Sequence, residues 1–400
     1  MGEYFARAAA LDEAFHMHTY GRKPVMFVRG EGMRLYDDDG REYLDFLAGI
    51  GVVNLGHAHP AVTAAVCEQQ ARLVHVSNLF QVEHRAELAE LLVELAGGGR
   101  KVFFANSGAE ANEGAIKLAR RWGRREHGEG CFRVISAQRS FHGRTLATLA
   151  ATGQPSKQEA FEPLPTGFAH VPLNDLAAMD AALDASVCAV LLEPVQGEAG
   201  VYPLDQAYIQ AVRELCTSRG ILLMFDEVQT GFWRTGPVFA HHAFGVNADV
   251  ITLAKSLANG LPAGAVLATD EVASAFKPGD HGSTFGGGPV VCAAALATIG
   301  ALQDEHLGEN ATRTGAYLCE SLTALGTRTG EITQVRGAGL MVGVQLARPV
   351  AGAIGVLALE NGFILNSIGD SILRLLPPLV CTTAEADALL ASLETMLEAV

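Results

Sequence analysis

Between residues 49 and 300 the chain alternates short apolar runs with longer amphipathic stretches. The apolar runs are KVFFANS, FRVISA, VCAVLLEPV, ILLMFDEV, DVITLAK and AGAVLA. Runs that are apolar at nearly every position are typical of strands buried on both faces, and the amphipathic stretches between them predict covering helices. The pattern therefore predicts an α/β fold, with a mostly parallel central sheet covered by helices.

The two ends of the chain follow other patterns. Residues 1–48 begin with a helical stretch and then alternate around DDDG, which predicts a hairpin closed by Gly40 rather than a calcium loop. Residues 301–400 mix helical stretches with the runs ITQVRGAGLMVGVQL, GFILNSI and ILRLLPPLV, and a last helix is expected from about Ala384. We expect an N-terminal segment (1–48) that packs with a small α+β domain (301–400), and a large domain at 49–300.

Polar residues stand at the ends of four apolar runs. Asp226 and Glu227 end one run, Lys255 ends the next, and Ser107 and Glu193 end two others. The carboxyl ends of parallel strands meet at one edge of a sheet, where ligands bind in such folds. We therefore expect Ser107, Glu193, Asp226 and Lys255 along one rim.

Composition narrows the function classes. The 400 residues are 49% hydrophobic and carry a formal charge of −15, which argues against a nucleic-acid surface. No apolar run approaches the roughly 20 residues of a membrane span, and the N-terminus lacks the uncharged core of a secretory signal. Seven scattered cysteines without a C-x-x-C pair indicate a reduced, cytoplasmic protein.

The rim residues suggest one ligand. Ser107 and Gly108 lead into a helix, whose backbone N–H groups could bind a phosphate, although an ordinary capped helix reads the same way. Phe141 could stack on a planar ring. A buried Asp226 needs a partner, such as a protonated ring nitrogen or Lys255 itself, and a buried lysine becomes a neutral nucleophile. Together these groups describe a site for pyridoxal phosphate.

The motifs around these residues resemble those of the class III aminotransferases, which are fold-type I pyridoxal-phosphate enzymes. The resemblance covers nearly the whole chain in matching order and spacing. It rests on LGHAHP, NSGAEANEGAIKLAR, SFHGRT, LEPVQGEAGV, LLMFDEVQTGFWRTG, ITLAKSLANGLPAGA, HGSTFGGGP and VRGAGLMVG.

The resemblance implies roles for the cofactor-binding residues. Lys255 is similar to the lysine that holds the cofactor covalently and later carries a proton, and Asp226 to the carboxylate that keeps the pyridine nitrogen protonated. Phe141 is similar to the aromatic residue stacked on the ring, and Gln229 to the partner of its phenolic oxygen.

The phosphate site is expected to use two subunits. Ser107, Gly108 and Ala109 resemble the phosphate loop, although many relatives carry threonine at the position of Ala109. Thr284 resembles the residue that reaches the phosphate of the neighbouring subunit. The resemblance therefore implies a homodimer.

The resemblance also implies the substrate residues. Arg144 is similar to the arginine that binds the α-carboxylate, with Tyr20 as a weaker candidate beside it. Glu198 and Arg374 resemble a pair in which the glutamate covers the arginine for one substrate and swings away for the dicarboxylate 2-oxoglutarate.

Ile50 predicts the amino donor, because ornithine aminotransferases carry a tyrosine there. An apolar wall suits the acetylated end of N-acetylornithine better than a free α-amino group. We therefore expect N-acetylornithine as the donor and 2-oxoglutarate as the acceptor, with N-acetylglutamate semialdehyde and glutamate as the products, as in arginine biosynthesis. Ornithine, succinylornithine, succinyldiaminopimelate, carrier-bound (LysW) lysine and 4-aminobutyrate are the alternative donors.

Other readings of single motifs are weaker. ILLMFDE resembles the acidic strand of an ATPase, but G-x-x-x-x-G-K-[ST] does not occur, and RGAGLMVG lacks the spacing of a dinucleotide site. His57 and His59 are expected to be polar residues at a domain junction and not metal ligands. A catalytically silent cofactor-binding protein remains the alternative to an enzyme.

Overall fold

The computed structural model describes residues 3–400. The elements before the large sheet are α1 (Glu3–Phe15), β1 (Phe27–Glu31), β2 (Arg34–Asp37), β3 (Glu42–Asp45), α2 (Ala48–Gly51), α3 (Pro60–Arg72) and α4 (Glu83–Leu95). Strands β2 and β3 form the expected hairpin. Gly40 has a φ of 81° there, and its N–H donates to the carbonyl of Asp37 at 3.0 Å.

The middle of the chain alternates strands with helices. Its strands are β4 (Arg100–Ala105), β5 (Arg133–Ala137), β6 (Phe168–Val171), β7 (Val187–Leu192), β8 (Val195–Gln196), β9 (Tyr202–Pro203), β10 (Leu222–Asp226), β11 (Val250–Leu253) and β12 (Gly264–Thr269). Its helices are α5 (Gly108–His127), α6 (Leu146–Ala151), α7 (Pro155–Gln158), α8 (Leu176–Ala182), α9 (Gln206–Arg219), α10 (Asp270–Ala273) and α11 (Pro289–Asp304). Short 3₁₀ turns occur at Glu159–Phe161, Ala240–Phe244 and Lys255–Ala258.

Seven of these strands form the central sheet in the order β4-β12-β11-β10-β7-β5-β6. The strand β10 pairs in parallel with β7 and β11, which confirms the mostly parallel α/β sheet. The strand β12 runs antiparallel to both β11 and β4. The connection 254–263 is shorter than the roughly dozen residues that a parallel crossover needs, so the chain returns in the opposite direction.

Both faces of the sheet are covered, as apolar runs without alternation predict. On β10, Leu222 and Met224 pack into a core shared with α5, while Leu223 and Phe225 pack into the larger core on the opposite face. Successive side chains of a strand point to opposite faces, so a strand buried on both sides must be apolar throughout. Because both faces of the strand are packed, the position of its carboxyl end is fixed.

The last part of the chain forms a second sheet with helices. Its elements are α12 (Leu307–Thr329), β13 (Ile332–Ala338), β14 (Met341–Leu346), α13 (Ala351–Glu360), β15 (Phe363–Ile364), β16 (Asn366–Ile368), β17 (Ile372–Leu375) and α14 (Thr383–Glu398). A capping box of Thr382 and Glu385 starts α14 close to the expected position. The strand β15 pairs in parallel with β3, so the beginning and the end of the chain share one sheet.

The two histidines of GHAHP each contact a carboxylate. The Nε2 atom of His57 lies 2.8 Å from Oδ2 of Asp45, and that of His59 lies 2.9 Å from Oε1 of Glu305. Among residues 3–400, none of the helices combines the length and the apolar character needed to cross a bilayer.

Candidate active site

A cavity of about 400 Å³ opens at the carboxyl ends of β4, β7, β10 and β11. It is lined by residues 106–109 after β4, by Glu193 after β7, by Asp226 at the end of β10, and by Lys255 after β11. The structure therefore brings the four residues expected along one rim, Ser107, Glu193, Asp226 and Lys255, to a single cavity.

Asp226 is 4% exposed and accepts three hydrogen bonds. Its Oδ2 accepts from Nδ2 of Asn112 at 2.7 Å and lies 2.8 Å from Nδ1 of His142, while Oδ1 accepts from the N–H of Val228 at 3.0 Å. These contacts hold a buried carboxylate in one orientation. Its negative charge can therefore face a cationic group in the cavity.

The sequence analysis did not assign Asn112 and His142 to this carboxylate. Asn112 lies on the buried face of α5, where a polar side chain needs a partner, so the helical pattern contained a usable signal. His142 belongs to the stretch SFHGRT, and nothing in the spacing of that stretch connects it to Asp226. Its Nε2 atom is buried and lacks a hydrogen-bond partner among the described residues.

Lys255 follows β11 in a left-handed conformation, with a φ of 42°. The side chain borders the cavity and is half-buried, with protein around its amine. Burial lowers the pKa of Lys255 to about 8, although the carboxylates of Glu198 and Asp226 oppose this shift. A larger fraction of the amine is therefore neutral and nucleophilic at neutral pH than for an exposed lysine.

The start of α5 forms a cup of backbone groups. Ser107 is the N-cap, and its Oγ accepts from the N–H of Glu110 at 3.1 Å. A Cβ on Gly108 would lie 2.8 Å from Cγ1 of Val228, so this position must lack a side chain. Ala109 lines the cavity beside them. The positive end of the helix and its N–H groups can bind an anion here.

Glu193 supports the aromatic wall of the cavity. Its Oε2 accepts from the backbone N–H of Phe141 at 3.0 Å. Burial raises the pKa of Glu193 to about 7, although the neighbouring His142 opposes the shift. Arg144 is exposed in the cavity, with its guanidinium carbon 5.6 Å from the centre of the Phe141 ring. The cavity thus has a flat ring beside a cation whose contact in residues 3–400 is with that ring.

Glu198 and Arg374 form an ion pair at the other side of the cavity. The Nη1 atom of Arg374 lies 2.5 Å from Oε1 of Glu198 and 3.3 Å from Oε1 of Gln229, while its Nε donates to Oδ1 of Asn366 at 3.0 Å. Arg374 is 2% exposed and Glu198 is partly open to the cavity. Burial alone would raise the pKa of Glu198, but the charge of Arg374 lowers it.

Besides Arg374, which reaches this cavity only through Glu198, three of the expected site residues do not line it. Tyr20 is 77% exposed, and the guanidinium of Arg22 lies 5.9 Å from its ring. Ile50 is 38% exposed in the α2 turn, two residues before the lining residue Val52. Thr284 lies exposed in the loop before α11. One described chain by itself therefore does not bring these side chains together with Lys255.

The second carboxylate of the FDE stretch has a different position. Glu227 does not line the cavity, and its Oε1 lies 2.8 Å from Nδ1 of His241. Its side chain also accepts the backbone N–H groups of Ala240 and His241, at 3.1 and 2.8 Å. Glu227 therefore fixes the 3₁₀ turn Ala240–Phe244, and Asp226 is the carboxylate that faces the cavity.

The donor set of the cavity fits pyridoxal phosphate. The cup before α5 matches the phosphate, Phe141 offers a flat face, Asp226 offers a charge for the ring nitrogen, and Lys255 offers an amine for the aldehyde. The unpartnered Nε2 of His142 is one more polar atom next to this space.

Comparisons with known proteins agree with this chemistry. The family model described as "Aminotransferase class-III" matches residues 16–397. The chain is 51% identical to an acetylornithine aminotransferase of Gloeobacter violaceus over 94% of each chain, and 46% identical to that of Methanocaldococcus jannaschii over 96% of each. A structure of Toxoplasma gondii ornithine aminotransferase, with pyridoxal phosphate at partial occupancy in its active site, aligns with a TM-score of 0.94. It is 33% identical to this chain, covering 99% of this chain and 94% of that one.

Proposed function

This chain belongs to the class III aminotransferases, and on that premise we propose that it transfers the terminal amino group of N-acetylornithine to 2-oxoglutarate. The products are N-acetylglutamate semialdehyde and glutamate, a step of arginine biosynthesis. The main support for this reaction is that Lys255, Asp226 and the cup at the start of α5 line the same cavity. The donor is supported by the names of the relatives given above.

The cofactor is pyridoxal phosphate, which supplies an aldehyde carbon to carry the amino group and a ring that withdraws electrons from it. We assign to Lys255 the covalent hold on this cofactor, and to its Nζ the movement of the proton lost by the donor. Asp226 keeps the ring nitrogen protonated, while Asn112 and His142 keep Asp226 oriented. Phe141 holds the ring face.

Further contacts complete the cofactor site in this proposal. Ser107, Gly108 and Ala109 would hold the phosphate, and Gln229 would contact the phenolic oxygen. Thr284 would bind the phosphate of a neighbouring subunit, and its exposed position outside its own cavity supports this assignment. The proposal therefore includes a homodimer, and sedimentation of the holoenzyme at micromolar concentration tests it. A fully active monomer with bound cofactor would exclude it.

The substrates use two cations. Arg144 binds the α-carboxylate of the donor, with Tyr20 beside it in the assembled dimer. Arg374 would bind a carboxylate of 2-oxoglutarate when Glu198 moves away, because in this structure Glu198 pairs with Arg374 and covers it. Arginine forms two parallel hydrogen bonds with a carboxylate, which suits both tasks.

Ile50 separates N-acetylornithine from ornithine in this proposal. It provides an apolar wall for the acetyl group, and a free ammonium there would lose water without gaining a partner. The value of kcat/KM should favour N-acetylornithine over ornithine by at least about tenfold, which is about 1.4 kcal/mol. A steady-state comparison with 2-oxoglutarate tests this, and succinylornithine and 4-aminobutyrate belong in the same series. Equal use of ornithine would refute the assignment of the donor.

A variant separates the enzyme from a silent binder of the cofactor. Lys255→Ala should abolish turnover while its far-ultraviolet circular dichroism stays unchanged, because no neighbouring amine can replace it. Lys101→Ala is the matched control, since Lys101 is exposed and its ion pair in the described part of the chain is with Asp270, at 3.5 Å. Near-normal transamination by Lys255→Ala would refute the proposed reaction.

We also propose three broader properties: the division into domains, the cellular location and the kind of partner. The chain divides into residues 1–48, 49–300 and 301–400, and the pairing of β3 with β15 supports packing of the first segment on the last. It acts in the cytoplasm, in keeping with its reduced thiols. It acts on small molecules, without nucleic-acid or membrane partners, in keeping with its acidic composition.

A further inference from the structure

A second cavity of about 360 Å³ lies beside α5. It is lined by the four cations Lys117, Arg120, Arg121 and Arg124, together with Phe132, Phe276 and Asp280. None of these residues lines the cavity that holds Lys255. Arg120 is twelve residues beyond Gly108 on α5, about 18 Å along the helix at 1.5 Å per residue.

The four cations follow one another at spacings that place them on one side of α5. Residues three and four apart are neighbours on a helix, and like charges there repel by a few tenths of a kcal/mol. The chain has 29 basic and 44 acidic residues, so a cluster of four cations around one cavity runs against its composition. The helix dipole favours only Arg124, which stands in the last turn of α5, so helix stability does not account for the other three cations.

Three carboxylates lie near the four cations and do not neutralise all of them, and one of the three is Glu113, whose charge acts on Arg120. Asp280 is its lining carboxylate, and Oδ2 of Asp280 lies 3.5 Å from Nε of Arg121. Arg124 lies 3.4 Å from Glu129, but Glu129 is 91% exposed, and such surface pairs are weak. Lys117 contacts the backbone carbonyl of Asp280 at 3.3 Å and a ring nitrogen of His281 at 2.9 Å. A positive excess therefore remains around the cavity.

Arg120 is already held in place. Its Nη2 donates to the carbonyl of Thr166 at 2.7 Å, and its guanidinium lies 4.8 Å from the ring centre of Phe168 and 5.8 Å from that of Phe132. Its Nε atom is buried and has no partner within residues 3–400. A buried donor without an acceptor is unfavourable, so the burial of this guanidinium is only partly compensated by its contacts. Burial also lowers the pKa of Arg120.

We propose that the cavity bounded by Lys117, Arg120, Arg121 and Arg124 binds a small organic anion with two or more negative charges. Guanidinium groups bind phosphate and carboxylate oxygens through paired N–H donors, so a phosphate ester and a polycarboxylate share the required chemistry. Phe132 and Phe276 give the cavity an apolar wall for the organic part. The site is distinct from the substrate cavity and does not depend on the reaction proposed above.

The test is isothermal titration calorimetry of the holoenzyme, in which the cup before α5 is filled by the cofactor. Pyrophosphate and citrate are the probes, at constant ionic strength in chloride, and they distinguish phosphate from carboxylate recognition. We expect at least one of them to bind with one site per chain. The double variant Arg121→Gln/Arg124→Gln should weaken that binding at least about tenfold, since both side chains are half-exposed and the fold should tolerate their loss.

Two further variants decide where the anion binds. Arg125→Gln is the control on the same helix, because Arg125 contacts Glu126 and Ser274 and does not line the cavity, and it should leave the affinity unchanged. Asp280→Asn removes the negative charge of the cavity and should tighten binding about threefold to tenfold. The proposal is overturned if neither probe binds, if Arg121→Gln/Arg124→Gln binds like the wild type, or if Asp280→Asn weakens binding.

Discussion

Replacing Lys255 by methionine should stabilise the cofactor-free chain at neutral pH while abolishing turnover. Methionine fills a similar volume without a charge. In the wild type, the ammonium of Lys255 loses water on folding, and the carboxylates of Glu198 and Asp226 compensate only in part. The residue proposed as the centre of the chemistry is therefore expected to weaken the fold that carries it.

The size of the effect follows from the pKa of Lys255, which burial lowers from 10.5 to about 8. One pKa unit corresponds to about 1.36 kcal/mol, so below pH 8 the folded wild type is destabilised by about 3 kcal/mol. Between pH 8 and 10.5 the unfolded chain binds a proton at Lys255 that the folded chain lacks, so wild-type stability rises with pH. Water in the cavity reduces the effect. Lys255→Met should therefore gain about 2–3 kcal/mol at pH 7 and about 1 kcal/mol at pH 9.5.

Urea unfolding of the cofactor-free proteins measures this difference, at one protein concentration and at both pH values. The slope of the unfolding free energy with urea must stay the same in both proteins, so that the midpoints report stability alone. Lys101→Met is the control, because Lys101 is exposed, and its change should stay within about 0.5 kcal/mol at both pH values. A Lys255→Met protein no more stable than the wild type at pH 7, or a gap that widens with pH, would refute the reasoning.

Three other changes test the cavity. Asp226→Ala should lower kcat by orders of magnitude and the unfolding free energy by about 3–5 kcal/mol, since Asn112 and His142 lose their buried partner; an effect on KM alone would contradict its role. Glu198→Ala should lower the KM for 2-oxoglutarate severalfold and raise that for the donor, because Arg374 is then always uncovered; equal shifts of both KM values would argue against a switch. Glu193→Gln should become more stable relative to the wild type as the pH rises from about 4.5 to about 7, and the difference should stay constant above pH 7. Between these pH values the unfolded wild type loses the proton of this carboxyl while the folded wild type keeps it, so the wild type loses stability. Urea midpoints at pH 5 and 7.5 check this.

The apolar runs predicted most of the central sheet because a strand buried on both faces is apolar at every position. They missed β6 but found β4, although both strands are incompletely buried. The strand β6 has three partly buried residues and was not predicted. The apolar character of β12 does not show that the strand is antiparallel. That direction follows from the short connection before it.

The site was predictable where the signal is local to a strand end. Ser107, Asp226 and Lys255 each follow a buried strand, and the structure places them in one cavity. Asn112 and His142 lie on other elements and meet Asp226 only after folding, so sequence spacing could not connect them. The roles taken from family resemblance, including those of Tyr20, Ile50 and Thr284, stay predictions.

The position of β4 has a consequence for synthesis of the chain on the ribosome. The strand β4 lies at the edge of the central sheet and pairs with β12, which is translated roughly 160 residues later. Gly264 at the start of β12 lies against the cup, since a Cβ there would approach the carbonyl oxygen of Ser107 to 2.6 Å. At ordinary elongation rates the nascent chain therefore carries β4 and its cup without their neighbour for about 10–30 s. During that interval an unpaired apolar strand is open to chaperones and to aggregation, and a chain that terminates before β12 lacks the strand that packs against the cup.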